Sequence, residues 1–263
     1  MISLAPPALA LAAGEVHLWF AFPDAPQLHD PQLLERYQRL MTGEEQARQQ
    51  RYLQARHRHE ALVARALVRT TLSRYAPDVP AGRWRFVAGE HGRPEIADPP
   101  HPGLRFNLSH TGGLMLCGVT LDRAIGVDVE DSRRRVEGPG IARRFFAPAE
   151  VRALERGELA FFELWTLKEA YIKARGAGLS LPLRRFAFRR QDHDISVTFE
   201  PELGDDAGAW RFLLLGVQPS HVAALALRTG ADAAPPTVRV GQVVPLHREG
   251  ELPCAVLGRT GER

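Results

Sequence analysis

Ile125-Gly-Val-Asp128-Val-Glu130 is the stretch on which the reading of this chain turns. Ile125, Val127 and Val129 alternate with Gly126, Asp128 and Glu130, the period of a strand with one apolar face. The strand starts just past residues 122–124, near the middle of the 263-residue chain. Beyond it, helical patterns are expected at 140–146, 148–156 and 161–175. Strands are then expected at 185–189, 195–199, 210–217, 222–227 and 237–244. The upstream half runs in the same order. A strand at 16–22 precedes helical patterns at 31–41 and 44–75, the second ended by Pro77 and Pro80. A strand at 84–88, a turn at 90–94, a proline-rich loop at 98–103 and strands at 104–108 and 114–121 complete it. The fold class is therefore α+β: two similar α/β halves, each a long helix packed on a mainly antiparallel sheet. The halves are placed at 1–123 and 124–246, with 247–263 as a loose tail.

Composition narrows the class of protein. Apolar residues make up 44% and charged residues 25%, as in soluble globular chains. Cys117 and Cys254 form no Cys-x-x-Cys pair and are expected as free thiols in a reducing compartment. No apolar run reaches the roughly 20 residues of a membrane span. The apolar opening, residues 1–13, lacks the positive flank of a signal peptide and runs directly into a strand. A cytoplasmic location without membrane association is the expectation. Arginine pairs at 133–135, 143–144, 184–185 and 189–190 suit a solvated face, a phosphate-rich ligand or an acidic partner. Aromatics are not interleaved among them, so nucleic acid is not expected.

Of 34 basic residues only Lys168 and Lys173 are lysines, and both lie in Trp165-Thr-Leu-Lys168-Glu169-Ala-Tyr-Ile-Lys173. Codon usage explains the scarcity but not the location. Leu164, Leu167, Tyr171 and Ala174 form the core stripe of this helix, and Glu169 and Lys173 are neighbours at i and i+4 on another face. Asp128 and Glu130 share one face of their strand, roughly 6–7 Å apart. Such a pair suits a hard divalent ion, although an exposed acidic strand end would look the same. Phe106-Asn-Leu-Ser109-His110-Thr-Gly-Gly113 carries a hydroxyl and an imidazole at a strand end. No Gly-x-Ser-x-Gly exists to make a hydrolytic elbow; the pair suits phosphate binding or plain turn chemistry. Gly92-Arg93-Pro94 by itself reads as a turn.

In order, Gly-Arg93-Pro, Phe-Asn-Leu-Ser109-His110, Gly-Val-Asp128-Val-Glu130, Arg-Phe-Phe-Ala-Pro-Ala-Glu150, Trp-Thr-Leu-Lys168-Glu169-Ala-Tyr-Ile-Lys173 and Gly178-Leu-Ser-Leu-Pro-Leu183 resemble the 4′-phosphopantetheinyl transferases of the surfactin-synthetase (Sfp) type. The resemblance covers roughly residues 15–244 and suits the long, monomeric class whose halves are related by a pseudo-twofold. It implies transfer of the phosphopantetheine arm of coenzyme A to a serine of an acyl or peptidyl carrier protein, with release of 3′,5′-ADP. It implies Mg²⁺ on Asp128, Glu130 and Glu169, Glu169 as the base and Lys173 beside the leaving group. Lys168, Ser109, His110 and Arg93 are implied as coenzyme A contacts. Near the N-terminal helices, Arg48 and Arg51 are assigned to the 3′-phosphate, with Arg56 and Arg58 as further candidates. Glu45 stands where that family often has a lysine. Carrier docking is expected near the helix ending at Phe146. A Mg²⁺-dependent phosphodiesterase or nuclease using the same carboxylates is the alternative.

Overall fold

A computed structural model describes residues 8–231 and 233–261. The first seven residues of the apolar opening lie outside the described residues. The first half starts with β1 (Glu15–Ala21) and continues through helices α1 (Pro31–Leu40), α2 (Gly43–Gln50) and α3 (Ala55–Tyr75). Two hairpins follow, β2 (Arg85–Ala88) with β3 (Pro94–Asp98), and β4 (Leu104–Thr111) with β5 (Leu114–Leu121). The second half starts with β6 (Ile125–Asp131) and continues through α4 (Gly138–Phe145), α5 (Pro148–Glu155) and α6 (Phe161–Arg175). Again two hairpins follow, β7 (Phe186–Gln191) with β8 (Asp194–Phe199), and β9 (Trp210–Val217) with β10 (His221–Arg228). The chain ends with β11 (Thr237–Val244), β12 (Arg248–Glu251) and β13 (Cys254–Arg259).

The strand order exposes the duplication that the residues alone conceal. One sheet runs β12-β11-β1-β5-β4 and the other β6-β10-β9-β13-β8-β7. In each half the opening strand pairs antiparallel with the second strand of the last hairpin, β1 with β5 and β6 with β10. The long helices α3 and α6 are each buried along a stripe, and each anchors its own core. A third core joins the halves. Val16, Leu18 and Phe20 of β1 meet Ile125, Val127 and Val129 of β6 there, with Leu213, Leu215 and Leu225 of the second sheet.

Three expectations change. The helix expected over 44–75 is two helices with a break at 51–54. The Arg58 guanidinium accounts for that break, since it donates to the carbonyls of Tyr52 and Leu53. The turn and proline-rich loop at 90–103 contain β3, which completes a hairpin. The C-terminal segment is not a tail. β11 returns to the first sheet and pairs parallel with β1, β12 extends that sheet, and β13 enters the second sheet between β9 and β8. The stretch assigned to the second half and tail is thus shared between both sheets.

Gly126 shows how tightly β6 and α6 meet. A Cβ at that position would lie 2.0 Å from the Ala170 carbonyl oxygen and 2.3 Å from the Ala174 nitrogen. Only glycine lets the helix approach this closely. Asp128 and Glu130, on the same face of β6, are thereby brought beside Glu169 and Lys173. The edge strands are joined directly, since Asn107 Oδ1 on β4 accepts the Val127 N–H of β6 at 2.8 Å.

Candidate active site

The seam between the halves carries the chemistry. Lys173 Nζ donates to Asp128 Oδ1 at 2.6 Å and to Ser109 Oγ at 2.8 Å. Ser109 Oγ in turn donates to the same Asp128 oxygen at 2.9 Å. Two cavities meet at Lys173. One, of about 510 Å³, is walled by Ser109, His110, Asp128, Glu130 and the Arg56–His57 start of α3. The other, of about 480 Å³, is walled by Glu169, Asn107 and the Gly92-Arg93-Pro94 turn. A third, apolar cavity of about 370 Å³ lies between β9, β10, β11 and β13, and no carboxylate is in its wall.

Three carboxylates face this seam in an unusual state. Asp128 Oδ2 and Glu169 Oε1 are buried without a hydrogen-bond partner. Burial, with Asp128 and Glu130 as like charges, pushes the Glu169 carboxyl up to about 7. Burial and then Asp128 raise Glu130 as well, against the pull of Arg134, whose guanidinium lies 3.3 Å from it. Unpaired buried oxygens and mutually repelling acids are costly unless a cation joins them. Among the described residues, no group of three or more His, Cys, Asp or Glu side chains is placed so that it could hold a metal ion. Asp131 turns elsewhere, to Arg133 and Ser220.

The structure thus brings together Asp128, Glu130, Glu169, Lys173, Ser109 and His110. It does not bring in Lys168. That side chain is fully buried on the core face of α6. Its ammonium spends its three N–H groups on Glu150 Oε2 (2.8 Å) and the carbonyls of Leu183 (2.9 Å) and Phe186 (2.8 Å). Burial lowers its pKa to about 8, against the attraction of Glu150. Glu150 also accepts the N–H groups of Ala147 and Phe188, so every member of this buried network is satisfied. The assignment of Lys168 to a phosphate contact is corrected to a scaffold role.

Arg48 and Arg51 are also displaced from the assignment. Both are exposed, on α2 and at the break after it, and neither lines the two cavities. Arg56 and His57, past the break, line the cavity instead. Arg93 reaches the seam, but it donates to the carbonyls of Lys173 (2.6 Å) and Phe106 (3.1 Å). Glu45 is structural. It closes a capping box with Thr42 and pairs with the buried Arg69 at 2.7 Å. His57 was the residue missed; its position in the first turn of α3, beside Arg56, was the available signal.

These features define a class: an α+β enzyme of two like halves whose polar seam gathers acids around one lysine. Comparison with known proteins gives the family. Residues 124–226 match the 4′-phosphopantetheinyl transferase superfamily, and residues 29–119 match a family described as 4′-phosphopantetheinyl transferase, N-terminal. The 4′-phosphopantetheinyl transferase HetI of Nostoc sp. is 34% identical over 229 residues, which is 84% of this chain and 91% of that protein. The 4′-phosphopantetheinyl transferase Sfp of Bacillus subtilis is 34% identical over 170 residues, 62% of this chain and 73% of its own. The chain belongs to the 4′-phosphopantetheinyl transferase superfamily, of the Sfp type, and is an enzyme of that activity. Among the described residues no helix is long and apolar enough to cross a membrane.

Proposed function

We propose that this enzyme transfers the 4′-phosphopantetheine arm of coenzyme A to the serine of an apo carrier protein, with Mg²⁺, and releases 3′,5′-ADP. The observation that carries the reading is the gathering of Asp128, Glu130 and Glu169 around Lys173, with Asp128 Oδ2 and Glu169 Oε1 buried and unpaired. That all-oxygen donor set fits a hard divalent cation. Mg²⁺ held by Asp128, Glu130 and Glu169 would neutralise the pyrophosphate as its P–O bond breaks.

The chain's own groups account for the rest. The carrier serine oxygen forms a bond to the phosphorus that bears the pantetheine, and the bond from that phosphorus to the bridging oxygen breaks. Glu169 takes the serine proton, as the carboxylate that lines the cavity beside Lys173. The departing phosphate carries the electron pair away, and Lys173 sits where it can meet that charge and supply a proton. Ser109, His110, Arg56 and His57 supply donors on the side of the 3′-phosphate, and the Arg93 turn lines the adjoining cavity. A compact cation on a flexible stem can both follow and protonate a leaving group, whereas a guanidinium effectively cannot give up its proton.

The test is the mass of an apo carrier protein incubated with coenzyme A, Mg²⁺ and this enzyme. A gain of one phosphopantetheine that needs the divalent ion supports the reading. Folded enzyme giving no adduct on acyl and peptidyl carriers alike would reject it.

A further inference from the structure

We propose that Lys173 is an internal counter-ion that occupies one oxygen of Asp128 and weakens the hold of that carboxylate on a divalent cation until a phosphate ligand draws its ammonium away. Metal and coenzyme A binding are then coupled through this one side chain. The inference rests on the proposed reading of Asp128 as a metal ligand and of the seam as the coenzyme A site.

The contacts at the seam carry it. Lys173 Nζ and Ser109 Oγ both bond to Asp128 Oδ1, which leaves Asp128 Oδ2 buried and alone. In this arrangement Asp128 Oδ1 already serves a cation, and among the described residues no group of three or more His, Cys, Asp and Glu side chains could hold a metal ion as placed. A second cation at Asp128 must compete with the first. The competitor is free to move, because the Lys173 side chain is 29% exposed and spans from α6 to β6 and β4 where the two cavities meet. Its backbone is not free. Arg93 holds the Lys173 carbonyl, and the close contact at Gly126 fixes α6 against β6. The exchange is therefore a side-chain movement, from Asp128 toward an anion in either cavity. Such a movement frees a carboxylate oxygen for the metal as it delivers the ammonium to phosphate. Each ligand thereby removes an obstacle to the other, and linkage makes the gain mutual. Ser109 becomes a positioning residue: its hydroxyl bonds to both partners and steadies the closed pair.

The probe is Mn²⁺, its free concentration followed by electron paramagnetic resonance, with and without coenzyme A and with no carrier protein present. Wild type is expected to bind Mn²⁺ weakly alone and about tenfold or more tightly with coenzyme A, within the usual range of site coupling. Lys173→Met is expected to bind Mn²⁺ alone about tenfold tighter than wild type, and to gain much less from coenzyme A. Ser109→Ala, which changes no charge, is expected to bind Mn²⁺ alone a few-fold tighter (about threefold). Should Lys173→Met fail to fold, Ser109→Ala decides, and an affinity at or below wild type overturns the proposal. Lys173→Met with unchanged Mn²⁺ affinity and full coupling overturns it too. Asp128→Asn separates the two readings. If that variant loses Mn²⁺ while Lys173→Met matches wild type, the counter-ion proposal alone is wrong. If it binds Mn²⁺ as wild type does, the metal-ligand reading fails with it.

Discussion

Glu169 and Lys168 are adjacent on one helix and do opposite things. Glu169 is raised to about 7 from an ordinary 4.5, chiefly by burial and then by Asp128. Its native form holds the proton more tightly than the unfolded chain. In metal-free protein its contribution to stability is therefore full below about pH 4.5 and is lost as pH rises through about 7. Glu169→Gln should melt close to wild type at pH 4 and gain about 3 kcal/mol at pH 8 in chelator. A variant less stable than wild type at pH 8 contradicts this. Lys168→Met leaves Glu150 buried without its cation and should cost about 3–5 kcal/mol in denaturant melts. The KM for coenzyme A of the folded variant should be unchanged; a raised KM at normal stability would return Lys168 to the phosphates. Lys173→Arg should lose most turnover although it keeps the charge, as read in single-turnover transfer. The face of Lys168 was legible, since it lies within the Leu164, Leu167 and Tyr171 stripe. Its partner was not, because Glu150 is on another helix and only packing brings the two together.

At the scale of elements, β6 and α6 form the unit that creates the site. The alternation of 125–130 and the helical spacing of 161–175 were readable because each follows from a local period, 2 or 3.6. Their contact was not, because it depends on the missing side chain of Gly126. Gly126→Ala forces a Cβ against the Ala170 carbonyl and should cost about 3 kcal/mol or more, with loss of transfer even where the protein stays folded. Wild-type melting and rate would show that helix and strand are further apart than described. The break between α2 and α3 escaped the sequence for a similar reason. The helical pattern continues through 51–54, and what stops the helix is a guanidinium reaching back from Arg58 to two carbonyls. That break decides which arginines meet the cleft.

The whole molecule is two like units tied by a shared core and by an exchanged C-terminus. The repeat of strand, long helix and strands could be read from element order, but the first half's hairpin of β2 and β3 could not, because its second strand lies in a turn and a proline-rich stretch. The return of β11 beside β1 could not, because pairing between residues 15–20 and 237–242 leaves no local trace. Residues 1–123 alone therefore lack β11, one of the two neighbours of β1, and the partner surface of the inter-sheet core. That fragment should show no cooperative melt by circular dichroism; a sharp, reversible transition would mean the first half folds by itself. The seam exists only in the assembled pair, and the central claim is that transfer takes place there. The most direct measurement is the rate of holo-carrier formation, followed by intact mass, for Asp128→Asn and Glu169→Gln against wild type, with melting confirmed for each. Both variants should fall by about a hundredfold or more, as expected for groups that act in the transition state. Rates within threefold of wild type, from folded protein, would place the reaction elsewhere.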